Sequence, residues 1–204
     1  MALQAKKRAD YMPPAFSIPT VSLSFNLHAT ETRVVSTLTV RREGNHNNPL
    51  TLDGEKLVLR SVKVDGQSFT QYTQSEHQLS LQDVPDEFEL TIETQIDPKN
   101  NQALEGLYLS NGVYCTQCEA EGFRRITYFM DRPDVLSRYT VTVTGDKSSL
   151  PTLLSNGNPV GKGEHEDGTH WVMWEDPHPK PCYLFALVAG EFDLLTDSYT
   201  TMSG

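Results

Sequence analysis

Long apolar runs are missing from this chain of 204 residues. None approaches the ~18 residues that a membrane-spanning helix requires, so a membrane is not an expected partner. The opening stretch, MALQAKKRADYMPPAF, is polar and basic without an apolar centre, which is not the pattern of a secretory leader. Cysteine is scarce and odd in number, three in all. That gives no disulfide framework and fits a reducing, cytoplasmic setting. Positive charge is short: 17 Lys and Arg stand against 27 Asp and Glu, a formal net charge of −10. Such a balance repels phosphate, so nucleic acid is not an expected partner either. Lys6-Lys7-Arg8, a short terminal cluster, reads as a solvated tail. A phosphate-cradling loop is absent, because Gly161-Lys162-Gly163 lacks the spacing, and so is a Gly-x-Ser-x-Gly nucleophile elbow.

What the chain does have is alternation. From Val21 to Leu27 the odd positions are apolar, the period of two that buries one face of a strand. Val34 to Val40, Leu57 to Val64, Phe88 to Ile96, Tyr139 to Thr144, Trp171 to Trp174 and Tyr183 to Val188 read as further strands. Asp65-Gly66 signals a tight hairpin, and Asn156-Gly157-Asn158-Pro159 and Asp167-Gly168 carry turn chemistry. Short strands at intervals of about ten residues predict an all-β fold. The expected form is a saddle-like or sandwich arrangement of curved antiparallel and mixed sheets, with at most one or two short helical turns. Asp131 to Leu136, with Pro133 in its first turn, is the expected helical turn. Residues 1 to 15 are expected to form a loosely held arm.

Four stretches invite a chemical reading. Cys115-x-x-Cys118 resembles half of a zinc or redox site, but only Cys182 remains to complete a metal set. Glu119 and Glu121 would also oppose a thiolate, so packing cysteines are the plainer expectation. His165-Glu166-Asp167-Gly168-Thr169-His170 is a zinc motif stretched by one residue, and its Asp-Gly argues for a hairpin rather than a helix. Asp176-Pro177-His178-Pro179-Lys180-Pro181 reads as a rigid connection between strands. Gln117 and Glu119, two apart, would share one face of a strand. A carboxylate beside an amide suits an ammonium group, which brings three donors and a positive charge; a solvated strand edge is the bland alternative. Two other functions stay open: a stand-alone β-sandwich module binding carbohydrate or protein, and a thiol or metal protein built on Cys115 and Cys118. The first needs an aromatic platform, yet Trp171 and Trp174 are three apart on one strand and face opposite ways.

The segment Thr116-Gln117-Cys118-Glu119-Ala120-Glu121-Gly122-Phe123-Arg124-Arg125, followed by Tyr128-Phe129-Met130-Asp131-Arg132-Pro133-Asp134-Val135, resembles the N-terminal domain of the bacterial aminopeptidase N branch of the zinc gluzincin aminopeptidases. Asn101 to Tyr108, Leu153 to Asn158 and Lys180 to Gly190 agree, so the resemblance spans essentially the whole chain. Other branches often have Asp-Glu-Pro where this chain has Asp131-Arg132-Pro133. The resemblance implies a saddle-shaped β domain packed on a thermolysin-like catalytic domain of the same polypeptide, acting on peptides with a free N-terminus. It implies one zinc in the complete enzyme, held by His-Glu-x-x-His and a later Glu, with a Gly-Ala-Met-Glu-Asn motif nearby. Neither motif occurs in these residues, so no catalytic or metal residue is expected in this chain. Residues 1–192 are then the N-terminal domain, and 193–204 the opening of a catalytic domain that is absent. By the same resemblance Glu119 meets the substrate's α-amine and Gln117 lines the pocket of its first side chain. Arg124 and Arg125 are expected to hold strand ends and domain contacts.

Overall fold

Alternating sequences become sheet where one face finds a partner to bury it. The computed structural model describes residues 7–203. In chain order the strands are β1 (Phe16–Asn26), β2 (Thr32–Arg42), β3 (Leu50–Asp53), β4 (Val58–Val64), β5 (Gln67–Ser68), β6 (Tyr72–Gln74), β7 (Gln78–Leu81), β8 (Glu87–Ile96), β9 (Gly106–Ser110), β10 (Val113–Gln117), β11 (Ser137–Asp146), β12 (Thr152–Ser155), β13 (Asn158–Glu164), β14 (Thr169–Lys180) and β15 (Leu187–Gly190). Eight form one sheet in the order β13-β14-β11-β1-β2-β8-β4-β5. Within it β1 pairs with β11 in parallel and the other pairs run antiparallel, so the sheet is mixed. A four-stranded sheet, β12-β15-β10-β9, and a three-stranded one, β3-β7-β6, complete the fold.

The large sheet is two-faced. Val21, Leu23 and Phe25 of β1, Val34, Leu38 and Val40 of β2, and Leu90 and Ile92 of β8 are buried, while Ser22, Ser24, Arg33 and Thr91 between them are not. Each fully buried Leu or Phe side chain contributes about 1.5–3 kcal/mol, so this face supplies most of the driving force. Leu50, Leu52, Leu79 and Leu81 of the three-stranded sheet are fully covered in the same core. The Asp65-Gly66 hairpin forms as expected: both residues have positive φ, 49° and 77°, the pairing that matches the twist of two short strands.

Aromatic rings tie the small sheets to the large one. Phe123 meets Phe129 edge-on at 5.1 Å and Phe185 at 5.4 Å, and Phe185 stacks on Phe25 of β1 at 5.9 Å. Two buried polar ties reinforce this. The Ser36 and Thr127 hydroxyls share a hydrogen bond of 3.0 Å, and Thr94 Oγ1 donates to the Ile126 carbonyl at 3.1 Å. The segment between β10 and β11, which carries the dense motif, is therefore pinned to the core from beneath.

Several local expectations need correction. The helical turn does not form at Asp131–Leu136; Val135 N donates to Arg132 O and closes a simple turn there. The Asp134 carboxylate accepts hydrogen bonds from Arg132 and Tyr11. Short 3-10 turns occur at Arg8–Asp10, Phe123–Arg125 and Cys182–Leu184 among the described residues, one more than expected. The last of these replaces the front of the strand expected at Tyr183–Val188. The proline-rich stretch to Lys180 is the end of β14 rather than a connection. The arm is held from Tyr11 onward, since Tyr11 bonds Asp134 and Arg132 donates to the Met12 carbonyl. Lys6 lies outside the described residues, and Arg8 is exposed. Residues 191–203 have no strand or helix and are exposed.

Candidate functional site

Gln117 ends β10, paired with Gly106 of β9. The strand does not continue to Glu119. Cys118 is buried, and its carbonyl accepts from Gly122 N at 2.8 Å, which closes a turn over residues 118–122. The expected shared strand face is thus wrong for this pair: a tertiary contact bends the chain before the second side chain is reached. The two residues still meet by another route. Gln117 Nε2 donates to the backbone carbonyl of Glu119 at 3.0 Å. A carbonyl can only accept, so this contact fixes which end of the amide is the NH₂ and leaves Oε1 as a free acceptor. Both side chains are exposed, and the Glu119–Ala120 peptide within the turn is cis.

Phe123, fully buried, follows the turn immediately and sinks into the aromatic cluster. Arg124 then reaches back. Its backbone N and its Nε donate to Asp131 Oδ2 at 3.1 and 2.9 Å, and its Nη1 lies 3.5 Å from Glu121. Arg125 pairs with Glu55 and with Glu105, at 2.5 and 3.1 Å. The expectation that the twin arginines hold strand ends fits this geometry. Asp131, which sequence reasoning missed, is the acceptor that unites the network, and its side chain is 1% exposed. A lone Asp seven residues after an Arg carries no local signal, so only packing identifies it. A surface concavity of about 410 Å³ lies beside β9, lined by Lys56, Asp97, Asn101, Leu107 and Arg125. Gln117 and Glu119 do not line it.

Cys115, Cys118 and Cys182 are free thiols, the first half-buried and the other two buried. Cys118 is buried, and burial together with the Asp131 charge pushes its thiol up to about 12, away from the reactive thiolate. Cys182 donates its thiol proton to Asp131 Oδ1 at 3.0 Å, and Cys115 sits half-buried in β10. Among the described residues no group of three or more His, Cys, Asp or Glu is placed to hold a metal ion. The donor set here does not fit zinc. The two histidines of the stretched motif flank a hairpin, where His165 N donates to Thr169 O. His165 is exposed, while His170 is buried and its Nε2 donates to the Leu150 carbonyl at 2.7 Å. The two tryptophans do not combine into an aromatic platform. Trp174 turns its Nε1 into the fold to reach Leu153 O, whereas Trp171 lies over Gly161 and Gly163.

The fold is an all-β domain in which an exposed acidic turn is backed by the Arg124–Asp131 ion pair, whose carboxylate is buried. The peptidase M1 N-terminal domain family matches residues 13–184, and the chain belongs to that family. It is 54% identical over 203 residues to the aminopeptidase N of Caulobacter vibrioides and 51% identical over 201 residues to that of Escherichia coli. Each match covers 98% of this chain and 23% of the relative, so the chain spans about a quarter of the curated relatives' length. Among solved structures, Legionella pneumophila aminopeptidase A in complex with aspartic acid superposes with a TM-score of 0.91 at 34% identity, covering 98% of this chain and 24% of that one. An M1 zinc metallopeptidase of Deinococcus radiodurans follows the same fold with a TM-score of 0.74 at 19% identity, over 86% of this chain and 42% of that one. Among the described residues no helix is long and apolar enough to cross a membrane.

Proposed function

We propose that this chain serves as the N-terminal domain of a cytoplasmic zinc aminopeptidase and supplies the group that receives the free α-amine of a peptide. In this reading Glu119 carries the charge, and Gln117 lies beside it against the first side chain. Residues 1–192 form the domain, and 193–204 lead into a catalytic domain of the same polypeptide. The observation that carries the reading is the 118–122 turn. It presents an exposed carboxylate beside a glutamine whose amide is anchored by one N–H on the turn's own Glu119 carbonyl. The carboxylate and the amide oxygen are acceptors that complement an ammonium with three donors. The kinship with aminopeptidase N sequences supports the same substrate class.

Recognition of the terminal amine is what makes such an enzyme an exopeptidase. A charge-assisted contact there fixes the chain end and so counts one residue to the bond that is cut. The zinc of the complete enzyme would polarise the scissile carbonyl and activate water. The residues of this chain do not fit that role, and its own task is binding and orientation.

The test is to express the complete polypeptide and measure release of N-terminal residues from peptides with free and with acetylated termini. Free termini should be processed and acetylated ones not. Glu119→Ala should lower kcat/KM by about 100-fold, on the order of 3 kcal/mol for one positioned charged contact. A Glu119→Ala enzyme with unchanged kcat/KM removes this residue from the site.

A further inference from the structure

Two carboxylates, Glu119 and Glu121, leave the same short turn. The structure treats them differently. Glu121 lies 3.5 Å from Arg124 Nη1 and is internally neutralised. Among the described residues Glu119 has no cationic side chain within ion-pair distance, and it too is exposed to solvent. Arg124 is held on several sides. Its Nε and backbone N both bind Asp131 Oδ2, its Nη2 donates to the Asp131 backbone carbonyl at 3.3 Å, and Asp53 lies 4.0 Å from Nη2. Asp131 is fixed in turn. Its second oxygen accepts from Cys182 at 3.0 Å, and its backbone N donates to Asp53 Oδ2 at 3.3 Å. The Glu55 N–H donates to the Arg124 carbonyl at 2.9 Å and joins the preceding loop to the same point.

We infer that the Arg124–Asp131 pair is a positioning device for amine recognition: it locks the 118–122 turn and takes Glu121 as its own counter-ion, so that Glu119 alone is offered to a ligand cation. The inference rests on the reading of Glu119 given above and adds two residues to it. Neither Arg124 nor Asp131 touches the ligand. They act by geometry and by charge. A planar guanidinium bound on two edges holds its partners in a plane, which a lysine ammonium in the same place would not do. Asp131 is almost wholly buried, so the pair sits where solvent screens little and where loss of one partner leaves the other exposed to a low dielectric. Releasing Arg124 would free Glu121 to compete for the ligand's ammonium and loosen the turn that aims Glu119.

The experiment uses the complete polypeptide with L-alanine p-nitroanilide as substrate. L-leucine and 4-methylpentanoic acid, the same skeleton without its amine, serve as competitive inhibitors. The ratio of their inhibition constants reads amine recognition and nothing else. Arg124→Gln and Asp131→Asn should each weaken L-leucine roughly ten- to a hundredfold while changing 4-methylpentanoic acid by no more than about twofold, the behaviour of a displaced contact. Leu38→Ala, a core truncation in β2, sets the comparison for stability: it should lower Tm and leave the ratio alone. If Asp131→Asn does not yield folded protein, Arg124→Lys keeps the charge, loses the fork and reads the same ratio. Variants of the pair that lower Tm as Leu38→Ala does, with the ratio intact, overturn the inference. A wild-type enzyme that shows no preference for L-leucine, or a Glu119→Gln enzyme that keeps it, overturns instead the reading of Glu119 on which the inference depends.

Discussion

Gly122 closes the turn that carries Glu119, and Gly122→Ala is the sharpest steric test of how tightly that turn is built. The backbone conformation poses no difficulty, since φ −82° and ψ −17° suit any residue. Space does. A Cβ at this position would lie 2.3 Å from the Gln117 carbonyl oxygen, 3.0 Å from Cys118 Cα and 3.0 Å from Gly106 N. All three are backbone atoms, and Gln117 and Gly106 are locked in register between β9 and β10. No side chain can rotate away, so relief requires moving the strand end or the turn by about 1 Å. Overpacking of this kind costs about 1–3 kcal/mol, offset by the ~0.4–1 kcal/mol that Gly→Ala gains from a less flexible unfolded chain. A net loss near 2 kcal/mol corresponds to a fall in Tm of roughly 4–8 °C at this chain length. Gly161→Ala provides the contrast, because on the edge strand β13 its added methyl would meet side-chain atoms alone, the Trp171 ring at 3.3 and 3.4 Å and Met173 Cβ at an ordinary 3.8 Å. That ring can tilt, and the expected change is within about 0.5 kcal/mol. Urea and thermal unfolding of both variants decide the matter. Equal midpoints for the two would refute the backbone contact as the cause.

Two further outcomes follow from the core beneath the site. Phe123→Ala removes a fully buried ring with edge contacts to Phe129, Tyr139 and Phe185, and should cost about 3–5 kcal/mol in a urea titration with unchanged slope; a loss below about 1 kcal/mol is incompatible with the packing described. The Cys118 thiol, raised from 9.0 to about 12 first by burial and then by Asp131, keeps its proton in the folded state where the unfolded chain releases it. Stability should therefore fall as pH rises from about 9 towards 12, by at most ~1.4 kcal/mol per pH unit for one group. Cys182 is shifted in the same direction, while Lys180, lowered mainly by burial, works against the fall. Comparing urea midpoints at about pH 8 and about pH 10, Cys118→Ala should lose less than the wild type; an identical fall in both removes this thiol as a cause.

The strands that could be read from the sequence are those with one buried face. In β1, β2, β8 and β11 the core imposes a period of two, and the letters record it. Strand β13, Asn-Pro-Val-Gly-Lys-Gly-Glu, lies at the sheet edge with neither face fully covered. Nothing selects alternation there, and the segment reads as loop. Tyr183 and Leu184 read as strand because they are apolar. Pro181 precedes them and Cys182 is drawn to Asp131, and the chain coils through one 3-10 turn before β15 begins. The same limit applied at the site. Gln117 and Glu119 were legible as residue types, whereas the bend between them is set by Gly122, Asp131 and Gly106, which are distant in sequence or chemically mute.

That bend changes what the pair can do. On a straight strand, Gln117 and Glu119 would stand side by side, each with its full set of donors and acceptors, and the amide could face a ligand with either end. The turn removes that freedom. By anchoring the amide through one N–H on the Glu119 carbonyl, it fixes where the amide oxygen lies, and by placing Glu121 against Arg124 it leaves Glu119 as the carboxylate of the turn without an ion-pair partner. An uncharged donor can bond to these oxygens but brings no charge to match the carboxylate, while a cation with several N–H groups adds charge to its hydrogen bonds. Selectivity for an ammonium thus arises from how the backbone anchors the groups around it, and any change that releases the Gln117 amide from the Glu119 carbonyl should weaken discrimination even with Glu119 untouched.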